Sequence, residues 1–379
     1  MELVNALDKA LGAEGALIAL REQARREQRM LRRSAGAHHP SDVPKAAPRP
    51  DHASPSRTAE LKSDVAALRQ AFDGSFVPTA SFDLASRPGG ARYATALVEG
   101  LHRDYQAARY AEVAQTLPSV VDTVAALAGG STGEPRRRAS SLQCQVAVVA
   151  AKLATKLGDG VTAYAAAERA RMAAEEAEHP FGQAAAAYQL TCALLRLGGA
   201  DEAELNAVDR AATMTGQDPH SVTWRGALTL ISAVIAARRG DPVEASRRLD
   251  QAERLGGDGN IGFTAFGPTN VRIHRAAVAV SAGDPHGVLA VGEQLDVTAL
   301  PPGLHGRQGQ FHLDSAWAHT RLGEDPLAVI HLLESERVAP QLVRTHRTAR
   351  TLVHDLMRRE RRHAVPGLRS LAHRIGVLA

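Results

Sequence analysis

Five glycines, Gly158, Gly198, Gly240, Gly283 and Gly323, punctuate the chain at intervals of 40, 42, 43 and 40 residues. Each closes an apolar segment and opens a polar turn. The turns read Leu157-Gly158-Asp159, Leu197-Gly198-Gly199, Arg239-Gly240-Asp241-Pro242, Ala282-Gly283-Asp284-Pro285 and Leu322-Gly323-Glu324-Asp325-Pro326. Glycine supplies the left-handed position that ends a helix, Asp caps the helix that follows, and Pro fits its first turn. Each unit is therefore expected to be a helix, a tight turn, a second helix and a longer loop. One such pair cannot bury its own apolar face, whereas stacked pairs share a continuous core, so the period predicts a repeat array.

Composition agrees. Of 379 residues 44% are hydrophobic but only 4% aromatic, with alanine filling much of the apolar share, which suits close-packed helices rather than sheets. The expected fold is all-α, a TPR-like α-α superhelix of antiparallel helix pairs over residues 61–379. The period exceeds the roughly 34 residues of a tetratricopeptide repeat and falls in the HEAT and armadillo range. A first pair is expected at Tyr93–Ala108 and Glu112–Ala128, with Tyr105 and Tyr110 packed at the corner. A closing pair is expected over 340–362 and 364–375. Ahead of the array, leucines at helical spacing (Leu3, Leu7, Leu11, then Leu17, Leu20, Leu31) predict a separate N-terminal helix over 1–33. Residues 34–60, with Pro40, Pro44, Pro48, Pro50 and Pro55, are expected to form a disordered Pro-rich linker.

Charge and cysteines bound the setting. The net charge of +4 conceals a gradient: from Gln341 onward nine arginines face only Asp355 and Glu360. Such a basic end suits a solvated helix face or an acidic partner such as nucleic acid. Two cysteines, Cys144 and Cys192, are expected to be small buried hydrophobes in a reducing compartment. No basic leader precedes an apolar stretch and no run is long enough to span a bilayer, so a cytoplasmic location without membrane contact is expected.

Ala265-Phe266-Gly267-Pro268-Thr269-Asn270-Val271, followed by His274, Ala277, Val278 and Val280, carries a resemblance, and four further stretches support it. These are Arg225-Gly226-Ala227-Leu228, Leu300-Pro301 ahead of His312-Leu313-Asp314, Glu334-Ser335-Glu336-Arg337-Val338-Ala339-Pro340, and Leu371-Ala372-His373-Arg374-Ile375-Gly376-Val377. Together they resemble the C-terminal half of actinobacterial Xre-type helix-turn-helix transcriptional regulators with a C-terminal TPR-like domain. Residues 3–12 are similar to the last helix of the DNA-binding domain and its exit, with no recognition helix evident ahead of them. The resemblance implies a regulatory sensor and interaction module that binds a peptide or small-molecule effector in its groove, contacts a protein partner and self-associates as a homodimer. DNA binding is then expected only weakly, through arginines near both ends, or through a missing N-terminal domain. The alternative is a stand-alone TPR-like interaction scaffold without DNA binding.

Chemistry is sparse. No phosphate loop in its strand–helix setting, no metal-ligand spacing and no nucleophile–base arrangement is found, so no enzyme activity and no cofactor are expected. In a TPR-like unit the first helix of each pair lines the groove. Positions thirteen and nine residues before the turn glycine share one face and give Gln145 with Val149, Ala185 with Gln189, Ala227 with Ile231, Asn270 with His274, and Gln310 with Asp314. The predicted ligand groove is therefore Gln145, Gln189, Asn270, His274, Gln310 and Asp314, since amide side chains can pair with both N–H and C=O of a peptide. A carboxylate beside His274 would favour its charged form and make it a pH-sensitive element. Trp224 and Phe266 are expected in the core.

Overall fold

The structure, a computed structural model, describes residues 89–257, 259–360 and 366–378. The expected N-terminal helix, the linker and the array's first residues, up to 88, lie outside the described residues. Those described belong to one compact unit, Ser54–Ala379. Among them there are only helices, packed as adjacent pairs: α1 (Gly90–Gln106) with α2 (Tyr110–Gly129), α3 (Gly133–Leu157) with α4 (Gly160–Glu176), and α5 (Pro180–Leu197) with α6 (Ala200–Thr213). Then come α7 (Pro219–Arg238) with α8 (Pro242–Leu255), α9 (Pro268–Ala282) with α10 (Pro285–Glu293), and α11 (His305–Leu322) with α12 (Asp325–Val338).

The turn chemistry explains the boundaries. All five periodic glycines sit at φ between 73° and 91°, a region where a Cβ is unfavourable. After three of them the Asp carboxylate accepts an N–H of the next helix: Asp159 from Thr162, Asp241 from Glu244, and Asp284 from Gly287. Alanine allows the helices to approach closely, and α4 buries Ala163, Ala166, Ala167, Ala170 and Ala174 completely.

The expected closing pair is corrected. The chain breaks at His346, where an extended residue serves both as the end of α13 (Pro340–Thr345) and the start of α14 (Arg347–Arg359), and α15 (Leu368–Arg374) follows. The short α13 has a specific task. Its Leu342 and the adjacent Ala339 share one apolar cluster with Tyr110, Val113 and Leu117 of α2. Gln341 accepts the Ala111 N–H at 2.8 Å and donates to Glu112 at 2.8 Å. Gln106, at the end of α1, exchanges two amide hydrogen bonds with Asn260, at 2.8 and 2.9 Å. A Cβ on Gly306, in the first turn of α11, would lie 3.3 Å from the Gln106 carbonyl oxygen. The array thus returns upon itself, and its first pair packs against its last ones.

One tight contact fixes the loop between α8 and α9. The Phe266 ring fills the space that a side chain on Gly226 of α7 or on Gly257 would need, with clearances of 2.0 and 2.7 Å. Gly226 and Phe266 belong to two of the sequence stretches singled out above, and close packing is what couples them. Just ahead, Phe263 and Ala265 adopt left-handed backbone at φ 56° and 58°. Such residues each cost on the order of 1–3 kcal/mol and persist only where the surroundings hold them.

Candidate ligand cavity

Where the array closes, the first helices of the pairs surround a cavity of about 240 Å³. Tyr105, Lys152, Thr155, Lys156, Tyr188, Gln189, Cys192, Arg196, Trp224, Phe263, Arg307, Gln310 and His346 are among its lining residues. They come from α1, α3, α5, α7, α11, the 261–265 loop and the α13–α14 break.

The predicted groove residues divide. Gln189 and Gln310 line the cavity. Asn270, His274 and Asp314 are buried instead, only 2%, 7% and 7% exposed, and face the packing between neighbouring helices. Gln145 is half-buried on α3, away from the cavity lining. His274 places its Nδ1 2.8 Å from the Asn270 carbonyl oxygen, a bond within α9. Gln310 donates to Asp314 at 2.9 Å, while the other carboxyl oxygen, Oδ2, is buried without a hydrogen bond, as is the Asn270 Oδ1.

The expectation of a charged His274 is overturned. Burial, and next the nearby Arg307 guanidinium, push its imidazole down to about 3, so it is neutral at physiological pH. Asp314 moves in the opposite sense: burial raises its carboxyl to about 7, against the Gln310 hydrogen bond and Lys156, which favour the anion. Cys144 is buried as expected, and burial pushes its thiol up to about 12. Cys192 is half-buried and borders the cavity, its thiol pushed up to about 11 by burial. Trp224 is 5% exposed, a core residue with one edge on the cavity.

The strongest feature of the cavity lay outside the predicted set. Lys152 and Lys156 of α3, Arg196 of α5 and Arg307 of α11 all border it, whereas none of its lining residues is Asp or Glu. Among the described residues none of the four cations forms an ion pair. Lys152 donates to the Phe263 carbonyl at 3.3 Å and lies 5.7 Å from the Tyr105 ring centre. Burial lowers both lysines to about 8. Arg307 adds to this in each case, and Arg196 adds at Lys156. His346 is held at about 3 by burial, then by Lys156 and Arg196. Thr155 Oγ1 and His346 Nδ1, both of lining residues, are buried without a hydrogen bond.

A signal for part of this set existed in the sequence. Two residues before the turn glycine stand Lys156, Arg196, Arg238, Ser281 and Arg321, a cation in four of five units. Cations are ordinary in a last helical turn because they complement the dipole, so the pattern does not by itself mark a site. Among the described residues no group of His, Cys, Asp and Glu is placed to hold a metal ion, and no helix is long and apolar enough to cross a membrane. No family model matches the chain, and neither a curated protein nor a solved structure matches it.

Proposed function

We propose that the chain is the sensing module of a transcriptional regulator, a TPR-like superhelix that holds a small-molecule effector in the cavity between its first helices. The observation that carries this is the cavity itself: charged and amide side chains from five segments converge on it, and two buried atoms of its lining, Thr155 Oγ1 and His346 Nδ1, have no hydrogen bond. Unpaired polar groups in a cavity are costly unless something binds them, which is the usual mark of a ligand site. The closure of α1 and α2 onto α11 and α13, and a volume near the lower end for ligand pockets, favour a small effector over an extended peptide. A ligand that touches α3, α5, α7 and α11 together changes how the pairs stack, and restacking is how occupancy would reach a DNA-binding segment or a second copy of the chain.

Native mass spectrometry of the full-length protein, purified from its own cell, tests this. A retained small mass that is lost in Gln310→Leu supports the proposal. Protein that carries no small mass, but co-purifies with a protein at fixed stoichiometry, supports the stand-alone scaffold instead.

A further inference from the structure

The lining of the cavity is unbalanced in charge. Lys152, Lys156 and Arg307 are half-buried and Arg196 stands at the rim, without a carboxylate among the lining residues. Lys152 and Lys156 are one turn apart on α3, so their ammonium groups share a face. Two like charges at that spacing repel each other, and Arg307 on the same cavity adds to the repulsion at both. Several arginines elsewhere are neutralised: Arg248 meets Glu204 and Glu244 at 2.6 Å each, Arg374 meets Glu336, and Arg359 meets Asp325. The nearest acid to the cavity, Asp314, is tied to Gln310 and buried behind it, and makes no ion pair with Lys156.

Complementing the helix dipole explains a cation at the end of one helix but not four on one cavity. Arg321 holds the same repeat position as Lys156 and Arg196, yet it lies over the Trp317 ring, 5.7 Å from its centre, outside this cavity. The lining also carries the aromatic rings of Tyr188, Trp224 and Phe263 beside the cations. Phe263 is held in left-handed backbone and stacked on His102, their ring centres 4.2 Å apart.

We propose that the effector is a small organic anion, its carboxylate or phosphate group seated among Lys152, Lys156 and Arg307 and its apolar body against the aromatic rings. The inference deepens the sensing proposal and rests on it. An anion supplies the missing countercharge and accepts hydrogen bonds from donors that have no carboxylate partner, including the Thr155 hydroxyl. Lys152, Lys156 and Arg307 are half-buried, so the attraction is screened less here than on the open surface. Arg196 at the rim extends the positive field outward and would steer an anion inward.

The test uses thermal melts of the full chain with three probes at matched ionic strength: sodium phosphate against sodium chloride, phenyl phosphate, and benzyl alcohol as the neutral counterpart. The inference expects a saturating rise in melting temperature with phosphate over chloride and a larger rise with phenyl phosphate. Both increments should vanish in Lys152→Met/Lys156→Met and shrink in Arg307→Gln. Each variant's own melt in chloride provides the baseline, so a change in intrinsic stability does not mimic the result. Equal phosphate and chloride melts, or a phosphate increment that survives in the double variant, overturns the inference. Saturable binding of benzyl alcohol, lost in Gln310→Leu and matched by no anion, also overturns the anionic class but leaves a small-molecule cavity, and with it the sensing proposal, standing.

Discussion

The inner and outer faces of the helix pairs handle charge in opposite ways. On the outer face arginines are matched with carboxylates, and the chain of Arg239, Glu204, Arg248 and Glu244 links α7, α6 and α8. Within it Glu244 is held down at about 2 by hydrogen bonds from Arg247 and Arg248. On the inner face burial pushes the lysines toward neutrality and holds His346 uncharged, as it does His274 in the helix packing. Arg239, Arg248, Arg359 and Arg374 on the outer face find carboxylates within the chain, whereas the four cations of the cavity form no ion pair among the described residues. A charge census alone misses this, because the net value of +4 does not say where the unpaired cations sit.

Acid should strain that contrast most. His274 and His346 are held at about 3 and His331 at about 4 by burial, His331 further by His312 and His319. An unfolded imidazole titrates near 6.5. The unfolded chain therefore binds more protons, so the stability these groups contribute is complete above about 6.5 and falls as the pH drops toward their folded values. Each loses about 1.4 kcal/mol per pH unit across that window. Asp314, raised to about 7, works the other way, since its folded form takes up a proton first and gains stability as the pH falls from 7 to its unfolded value near 4. Three groups against one leaves a net loss, so melting temperature should drop between pH 7 and pH 4.5. A flat profile would break the assignment of neutral inner histidines.

Next in size is Gly226→Val. With a clearance of only 2.0 Å, the added side chain must expel the Phe266 ring from the core, which should cost about 3 kcal/mol, read by urea denaturation. On the outer face Arg248→Met removes the links to Glu204, Glu244 and the Ser232 carbonyl, and should destabilise by about 1–3 kcal/mol in the same assay. The smallest effect has the opposite sign. Lys156→Met, measured without phosphate, should raise the melting temperature by a few degrees, because it removes a half-buried cation that feels Arg307 and Arg196 and forms no ion pair among the described residues. If Lys156→Met and Arg248→Met move stability in the same direction, the two faces do not differ as described.

The helix pairs and their turns were legible because turn chemistry is local: a glycine, an Asp cap and a proline act within four residues. Gln189 and Gln310 were reachable for the same reason, since a fixed offset from the turn selects one face of the first helix. That offset could not tell which face of α9 meets neighbouring helices, so Asn270 and His274 were placed in the groove although packing buries them. Lys152 and Lys156 were overlooked because basic residues near a helix end have an ordinary explanation, and only the absence of carboxylates around the cavity sets them apart. The return of the array on itself was invisible. Gln106 and Asn260 are 154 residues apart and Ala111 and Gln341 are 230 apart, and no local pattern announces such pairs. The break at His346 belongs to the same class, for α13 is placed by the α2 surface it covers.

That return also bears on how the chain reaches its native state. An open helical array needs only contacts between neighbouring units, so it can nucleate anywhere and lose its ends one repeat at a time. Here the Ala111–Gln341 bond and the Leu342 cluster join segments on opposite sides of the sequence, and closing so long a loop carries an entropy cost that grows with its length. Folding should therefore be slower and more all-or-none than for an open stack of the same helices, with the seam between α2 and α13 among the last contacts to form and the first to open.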